Sequence, residues 1–386
     1  MEQIRKTRVA VLFGGRSAEH EVSLQSAKNV IEQLDRSRYD VIPIGIDKSG
    51  QWIVGNDVFI KSIQETQVPR LPDEHQPWFA PQWVNHANNK SQQHHELTVS
   101  TSSHLDKPFD VIFPVMHGTY CEDGALQGLL ELADVAYVGC GVLSSAINMD
   151  KDIAKRLAKD GGIAVAPFLA IKKSVFYSNQ DHYIKTIIDT LHFPVFVKPA
   201  NTGSSVGISK VKTKEQLLPA IEFAFQYDHK ILIEKGLTVR ELELAVLEPL
   251  SGHDPIVSVV GEIEPHHEFY SYDAKYVDAN GASLHIPADL PDDIAKCARE
   301  MAKQLFVLLE CEGMARVDLF YDLHEQKLYF NEANTIPGFT TISMYPKLMA
   351  ASGISYTDLL THLVELAIKR HHNNTQLTRS YVSTVT

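Results

Sequence analysis

The sequence predicts an α/β protein of more than one domain. Three observations carry this: strand–helix–strand alternation opens the chain, two strands joined by a polar turn lie near its end, and 386 residues exceed what one hydrophobic core normally holds. Arg8-Val9-Ala10-Val11-Leu12-Phe13 is an almost unbroken apolar run, as expected of a parallel strand buried on both faces. After Gly14-Gly15, the residues Ala27, Val30, Ile31 and Leu34 recur at helical spacing. Val41 to Ile46 and Asp110 to Val115 read as further strands of the same unit. Residues 51–107 interrupt it: Trp78, Trp83, prolines and an Asn/Gln/His-rich stretch from Asn85 to His95 predict an irregular or hairpin insertion. Its His86, His94 and His95 fit solvated loop histidines better than metal ligands.

A second unit opens with a helix over 151–160 and a strand near 164–171. The strand Phe193 to Pro199, the small-residue turn Asn201 to Gly207, the strand Ser209 to Val211, a helix over 214–225 and the strand Lys230 to Glu234 complete it. A third unit begins near Gly236 with strands over 241–246 and 256–263, followed by a helix over 292–309 and the final hairpin. Residues beyond His371 read as a frayed tail. The expected domains are therefore 1–139, 140–235 and 236–386.

Bulk properties narrow the function class. A hydrophobic content of 44% and a charged content of 22% are ordinary for a soluble globular protein. A net charge of −12 argues against nucleic acid or an anionic membrane as the main partner, so any phosphate-binding lysines must be local. The start, Met1-Glu2-Gln3-Ile4-Arg5-Lys6, has no signal-peptide core, and no apolar run reaches membrane-spanning length. Cys121, Cys140, Cys297 and Cys311 show neither metal-type nor disulfide-type spacing, which fits a reducing cytosol. A cytoplasmic, multidomain enzyme is the expectation.

The hairpin carries the sharpest chemistry. Ala315-Arg316-Val317-Asp318-Leu319-Phe320 and Leu328-Tyr329-Phe330-Asn331-Glu332-Ala333-Asn334 are rich in β-branched and aromatic residues and flank a polar turn. Cross-strand neighbours approach closely, so Asp318 can meet Glu332 and Asn334, an oxygen-only set suited to Mg²⁺ shared with nucleotide phosphates. A surface hairpin with scattered acids is the plainer alternative. Lys198 closes a strand just before the Gly/Ser-rich turn, where backbone N–H groups and one cation can meet phosphate. No Gly-Lys-Ser/Thr follows, so this is not a Walker A loop. Lys151, at a helix start, is either a second phosphate cation or an exposed helix lysine. Glu234 and Glu241 can accept from an adenine amino group and from ribose hydroxyls, or be ordinary surface charges. Gly139-Cys140-Gly141-Val142-Leu143-Ser144 imitates a dinucleotide fingerprint but lacks its third Gly/Ala and its distal acid, so it reads as a turn between domains. The segment around Tyr270-Ser271-Tyr272-Asp273-Ala274-Lys275-Tyr276, within about 265–285, has the profile of a lid or of an aromatic-anchored surface loop.

Taken together, these pieces resemble the D-alanine–D-alanine ligase family. The resemblance lies in Val11 to Ser23 (with Gly14-Gly15-Arg16-Ser17-Ala18-Glu19-His20-Glu21), in His117-Gly118-Thr119-Tyr120-Cys121-Glu122-Asp123-Gly124, in the Lys198 to Gly207 turn, in Tyr272 to Tyr276 and in Asn331 to Gly338. It covers nearly the whole chain in order, except for the insertion, the tail and the unfamiliar Tyr120-Cys121 pair. It implies a three-domain ATP-grasp fold: a Rossmann-like parallel-sheet domain followed by two subdomains holding nucleotide between them. It implies ATP as co-substrate, Mg²⁺ or Mn²⁺ on Asp318, Glu332 and Asn334, and a homodimer.

The implied reaction phosphorylates one D-alanine carboxylate with ATP, and the amine of a second D-alanine then attacks the acyl phosphate. Lys151, Lys198 and Lys275 would neutralise phosphate charge, while Ser205, Glu234, Glu241, Phe269, Tyr270 and Asn331 would complete the ATP site. Glu19 would pair with the first D-alanine's ammonium and His117 would sit near its carboxylate, with Ser204 and Tyr276 linked to Glu19. Arg316 and the Gly338 N–H would stabilise the oxyanion, and Ser343 with Met344, at a helix start, would hold the second carboxylate. The lid motif favours an amine acceptor over a hydroxyl acceptor, which disfavours a D-lactate product. D-serine is the closer alternative, since one hydroxyl gives only about a hundredfold rejection without a dedicated polar partner. A different ATP-grasp carboxylate–amine ligase and a non-catalytic nucleotide-binding regulator are the remaining readings; the intact metal triad, phosphate lysines and Arg316 disfavour the regulator.

Overall fold

The structure is a computed structural model and describes residues 5–55, 109–266 and 281–379. Most of the expected insertion, and with it His86, His94 and His95, lies outside the described residues. So do Phe269, Tyr270, Lys275 and Tyr276 of the expected lid.

The chain forms three sheets in sequence order. The first has five strands in the order β3-β2-β1-β4-β5, with β1 at Thr7–Gly14, β2 at Tyr39–Ile46, β3 at Trp52–Val54, β4 at Val111–Pro114 and β5 at Ala136–Tyr137. β2, β1, β4 and β5 run parallel, while β3 pairs antiparallel with β2. The residues expected to open the insertion thus form an edge strand instead. Val9 to Phe13 are completely buried because β1 is covered on both faces, which its apolar run anticipates.

The second sheet is four-stranded and antiparallel, ordered β6-β9-β7-β8, from Phe168–Lys172 (β6), Val195–Pro199 (β7), Ser209–Val211 (β8) and Lys230–Lys235 (β9). Two helices on it, Lys173–Ser178 and Gln180–Leu191, were not expected from the sequence. The third sheet contains Val239–Leu247 (β10), Ile256–Val257 (β11), Gly261–Pro265 (β12), Ala282–His285 (β13), Met314–Asp322 (β14) and Lys327–Asn334 (β15). The single strand expected over 256–263 is two strands here. Between them the Ser258 hydroxyl accepts from the Ala245 N–H at 3.0 Å, so a side chain replaces a ladder partner and the strand breaks.

The expected turn after Gly139 is shorter than anticipated, since a helix begins at once, Val142–Met149. The expected frayed tail is also revised. Tyr356–Thr375 is one helix capped by the Ser355 hydroxyl, and it continues past His371. Arg370 explains this: its guanidinium donates to Gly139 O at 2.6 Å and to Tyr137 O at 2.8 Å, and lies 4.5 Å from the Tyr137 ring centroid. The last turns are therefore held on the first sheet. Among the described residues, no helix is long and apolar enough to cross a membrane.

One core joins the first and third sheets. Val9, Val11 and Phe13 share it with Ala245 and Leu247 of β10, and with Tyr345, Leu359 and Val364 of the C-terminal helices. Phe339 sits at its centre, fully buried, edge-on to Phe113 (5.7 Å between centroids) and against Tyr345 and Tyr356. Replacing Phe339 with Ala should destabilise the fold by about 3–5 kcal/mol, read as a lower thermal unfolding midpoint. An unchanged midpoint would show that the two sheets are not fastened there.

Candidate active site

The second and third sheets enclose a cleft of about 790 Å³, within the usual range of small-molecule pockets. Lys151, Lys198, Ser204, Ser205, Glu234, Glu241, Arg316, Asp318, Asn331 and Glu332 all line it.

The β14–β15 hairpin forms its acidic wall. Asp318 stands directly opposite Glu332, and Arg316 opposite Asn334, as cross-strand pairing requires. A bulge follows immediately: Leu319 pairs with Phe330, leaving Asn331 as the extra residue. A bulge re-aims side chains, and here it lets the adjacent Asn331 and Glu332 both face the cleft. The Asn334 amide donates to Asp318 at 3.0 Å. Arg316 grips Asp318 through two bonds of 2.8 and 2.7 Å, a fork that follows from their i, i+2 spacing on one face. Its Nε also lies 3.1 Å from Glu243 on β10, the residue opposite Asp318 on that side. Burial alone would lower the Arg316 pKa, but Asp318 and Glu243 outweigh it and hold the guanidinium charged.

Two carboxylates facing each other with an amide in reach fit a hard divalent cation that completes its shell with ligand oxygens. Among the described residues no group of three or more His, Cys, Asp or Glu is placed to hold a metal ion.

Lysines form the opposite wall. Lys151 begins the Lys151–Asp160 helix, which Asp150 caps through the backbone N–H groups of Asp152 and Ile153. Its ammonium donates to Thr202 O at 2.7 Å and lies 3.2 Å from Glu332, so it is no exposed helix lysine. Lys198, on β7, pairs with Glu234 on the adjacent β9. Burial raises the Glu234 pKa, but Lys155 and Lys198 overcome this and bring it to about 2. Glu234 is thus a buried, ionised acceptor and no surface charge.

The substrate end is built from the carboxyl ends of parallel strands β1 and β4, the usual place for a site in such a sheet. Glu19 precedes the helix after β1, and His117 follows β4. Ser204, from the turn of the second sheet, hydrogen-bonds to Glu19. Gly118, at φ +79°, passes so close that an added Cβ would lie 2.6 Å from the Glu19 carboxylate; only glycine fits there. His117 is buried, with Nδ1 3.1 Å from Ile336 O and Nε2 3.2 Å from the Ser26 hydroxyl. A carbonyl can only accept, so Nδ1 carries the hydrogen and Ser26 donates to Nε2 of a neutral ring. Burial lowers its pKa, in partial opposition to Glu19. Both nitrogens are engaged by protein, so His117 orders the loop after β15 and is not itself a charged group for a substrate carboxylate.

That loop carries the last candidates. Ser343 stands at the N-cap position of the Met344–Ala351 helix, but its hydroxyl turns back to accept from the Thr340 N–H at 2.9 Å, while Gly338 lies against it. The Met344 side chain is buried in the core, so what it can offer a ligand is its backbone N–H at the helix start.

Three residues escaped the sequence reading. Glu243 shares a face with Glu241 two positions earlier, a signal that was present. Lys155 lies one helical turn beyond Lys151. Glu122, inside the histidine motif, accepts from the Gly118 N–H at 2.7 Å, and burial beside Glu19 raises its pKa.

Comparison with known proteins agrees across nearly the full length. The family descriptions "D-ala D-ala ligase N-terminus" and "D-ala D-ala ligase C-terminus" match residues 8–140 and 157–365. The chain is 47% identical to D-alanine--D-alanine ligase A of Bradyrhizobium diazoefficiens, covering 98% of this chain and 99% of that one. It is 44% identical to D-alanine--D-alanine ligase A of Escherichia coli, covering 95% and 97%. Among solved structures, the VanG D-Ala:D-Ser ligase from Enterococcus faecalis superposes with a TM-score of 0.76 at 35% identity, covering 94% of this chain and 100% of that one. The D-alanine-D-alanine ligase from Coxiella burnetii gives 0.73 at 34%, with 96% of each chain covered.

A neutral His117 makes stability depend on pH. Its folded pKa lies below the ordinary 6.5, so its contribution is complete above that pH and is lost as the pH falls through the folded value. The thermal midpoint of the native chain should fall between about pH 7 and pH 5 more than that of His117→Gln. Parallel curves would show that the ring is not held neutral.

Proposed function

The chain belongs to the D-alanine–D-alanine ligase family, and we propose that it joins two D-alanine molecules at the expense of ATP through a D-alanyl phosphate, supplying peptidoglycan precursor synthesis. The observation that carries this reading is the facing pair Asp318 and Glu332, with Lys151 reaching across the cleft to Glu332. A carboxylate is a poor electrophile until one oxygen becomes a leaving group, and phosphoryl transfer is mostly positioning and charge neutralisation.

In this reading Asp318, Glu332 and Asn334 would hold Mg²⁺ or Mn²⁺, whose chemistry is to offset the phosphates' negative charge. Lys151 and Lys198, with Lys275 outside the described residues, share that task. Glu234 and Glu241 accept from the adenine amino group and the ribose hydroxyls, and Ser205, Asn331, Phe269 and Tyr270 complete the nucleotide site. Glu19 pairs with the first D-alanine's ammonium. Ser204 and Tyr276 tie the phosphate turn and the lid to that carboxylate, so occupancy of the first site couples to closure. Once the acyl phosphate forms, the second D-alanine's amine attacks its carbonyl carbon and phosphate departs with the C–O bonding pair. Arg316 and the Gly338 N–H stabilise the intervening oxyanion, while Ser343 and the Met344 N–H hold the second carboxylate. Domain limits of 1–139, 140–235 and 236–386, a homodimer and a cytoplasmic location belong to the same reading.

The relatives at 44–47% identity are named D-alanine--D-alanine ligases, whereas the D-Ala:D-Ser ligase is at 35%, so D-serine as acceptor is not favoured. Two experiments test the reading. Phosphate release from ATP should require D-alanine and ignore L-alanine, with D-alanyl-D-alanine as the product by mass; equal rates with both enantiomers would overturn the substrate assignment. Glu332→Gln should lower turnover by about a hundredfold or more while retaining the native circular dichroism spectrum, since it removes a charge at the phosphate clamp. Undiminished turnover would remove Glu332 from the site.

A further inference from the structure

We propose that Lys155 is a positioning residue for nucleotide binding: its buried ammonium holds the Glu234 carboxylate so that Lys198 can leave it for a nucleotide's phosphates. The inference rests on the reading of the cleft as a nucleotide site. Lys155 is completely buried, whereas Lys198 and Glu234 line the cleft. Its ammonium lies 2.7 Å from Glu234 Oε1, donates to Phe330 O at 3.2 Å and sits 5.9 Å from the centre of the Phe330 ring. Lys198 takes the other carboxylate oxygen, Oε2. One buried carboxylate therefore has two ammonium partners, one sealed inside and one at the surface of the cleft.

The asymmetry has a physical consequence. A buried ion stripped of its only partner is strongly disfavoured. With Lys198 alone, reaching for a phosphate would strand the Glu234 charge; Lys155 prevents this. Lys155 cannot itself reach the ligand, because Phe330 and its carbonyl close it in. The trio also carries one surplus positive charge facing the cleft, which favours polyanions.

The test compares the dissociation constants of ATP and adenosine by calorimetry. The adenosine constant divided by the ATP constant isolates what the phosphates contribute, and a purely structural role for Lys155 would leave this ratio unmoved. Lys155→Met should cut that ratio about tenfold, the size of a coupling between groups in contact. A folded Lys155→Met protein with an unchanged ratio, or one that loses both ligands equally, overturns the inference. Lys155→Met/Glu234→Gln removes the holder and the competing carboxylate together and stays charge-balanced, so it serves even if the single variant does not fold. Its ratio should equal or exceed that of the native chain, and a reduced ratio overturns the inference. Lys198→Met should itself reduce the ratio; if it does not, Lys198 is no phosphate ligand and the reading of the cleft fails along with the inference.

Discussion

The register of the β14–β15 hairpin sets the geometry on which the cleft depends. Pairing Asp318 with Glu332 puts two carboxylates face to face, and the single extra residue at Asn331 turns that neighbour and Glu332 toward the same space. A slip of one residue would send the acidic set to the other side of the sheet and into the core with Leu328 and Phe330. The hairpin is held against such a slip by its packing: Val317, Leu319, Phe330 and Ala333 are buried in one cluster with the Asp292–Leu308 helix.

Around this wall, charges are arranged so that almost none is buried alone. Arg316 is shared between Asp318 and Glu243, Lys151 between Glu332 and a carbonyl, and Glu234 between two lysines. Burying ions is unfavourable unless each is paired, so such a network stays intact only if ligand binding exchanges partners and does not abandon them. That logic explains how a chain of net charge −12 can keep Lys151, Lys198 and Arg316 at its cleft, each beside an acid that it can exchange for a ligand. It also explains why the first sheet must be fastened to the third. His117 follows a strand of the first sheet and Ile336 a strand of the third, and their contact has a fixed geometry only because the core around Phe339 fixes these two sheets.

Much of the site was legible because its residues act with near neighbours in sequence. Arg316 and Asp318 share a face by strand periodicity, Lys198 leads directly into the 201–207 turn, and Ser343 stands at a helix start. Lys151 and Glu234 were legible as residue types but not as environments. Each, read alone, was more readily a surface charge, and only the sheets that enclose them exclude that reading. His117 was legible as a candidate from its motif, yet its tautomer depends on Ile336 and Ser26, one of them more than two hundred positions away.

What the sequence determined by itself was local: the buried parallel strand at Val9 to Phe13, the hairpin with its opposed acids, and the small-residue turn. Each follows from periodicity or turn chemistry within one short stretch of chain, the hairpin being the longest. What the tertiary structure decided was partnership across distance. Glu243 meets Arg316, Lys155 stands behind Glu234, and the C-terminal helix stays ordered past His371 because Arg370 reaches Gly139 and Tyr137. No local pattern encodes these contacts. They arise when separately folded sheets bury their apolar faces together and bring charged side chains into a space where only paired ions are tolerated.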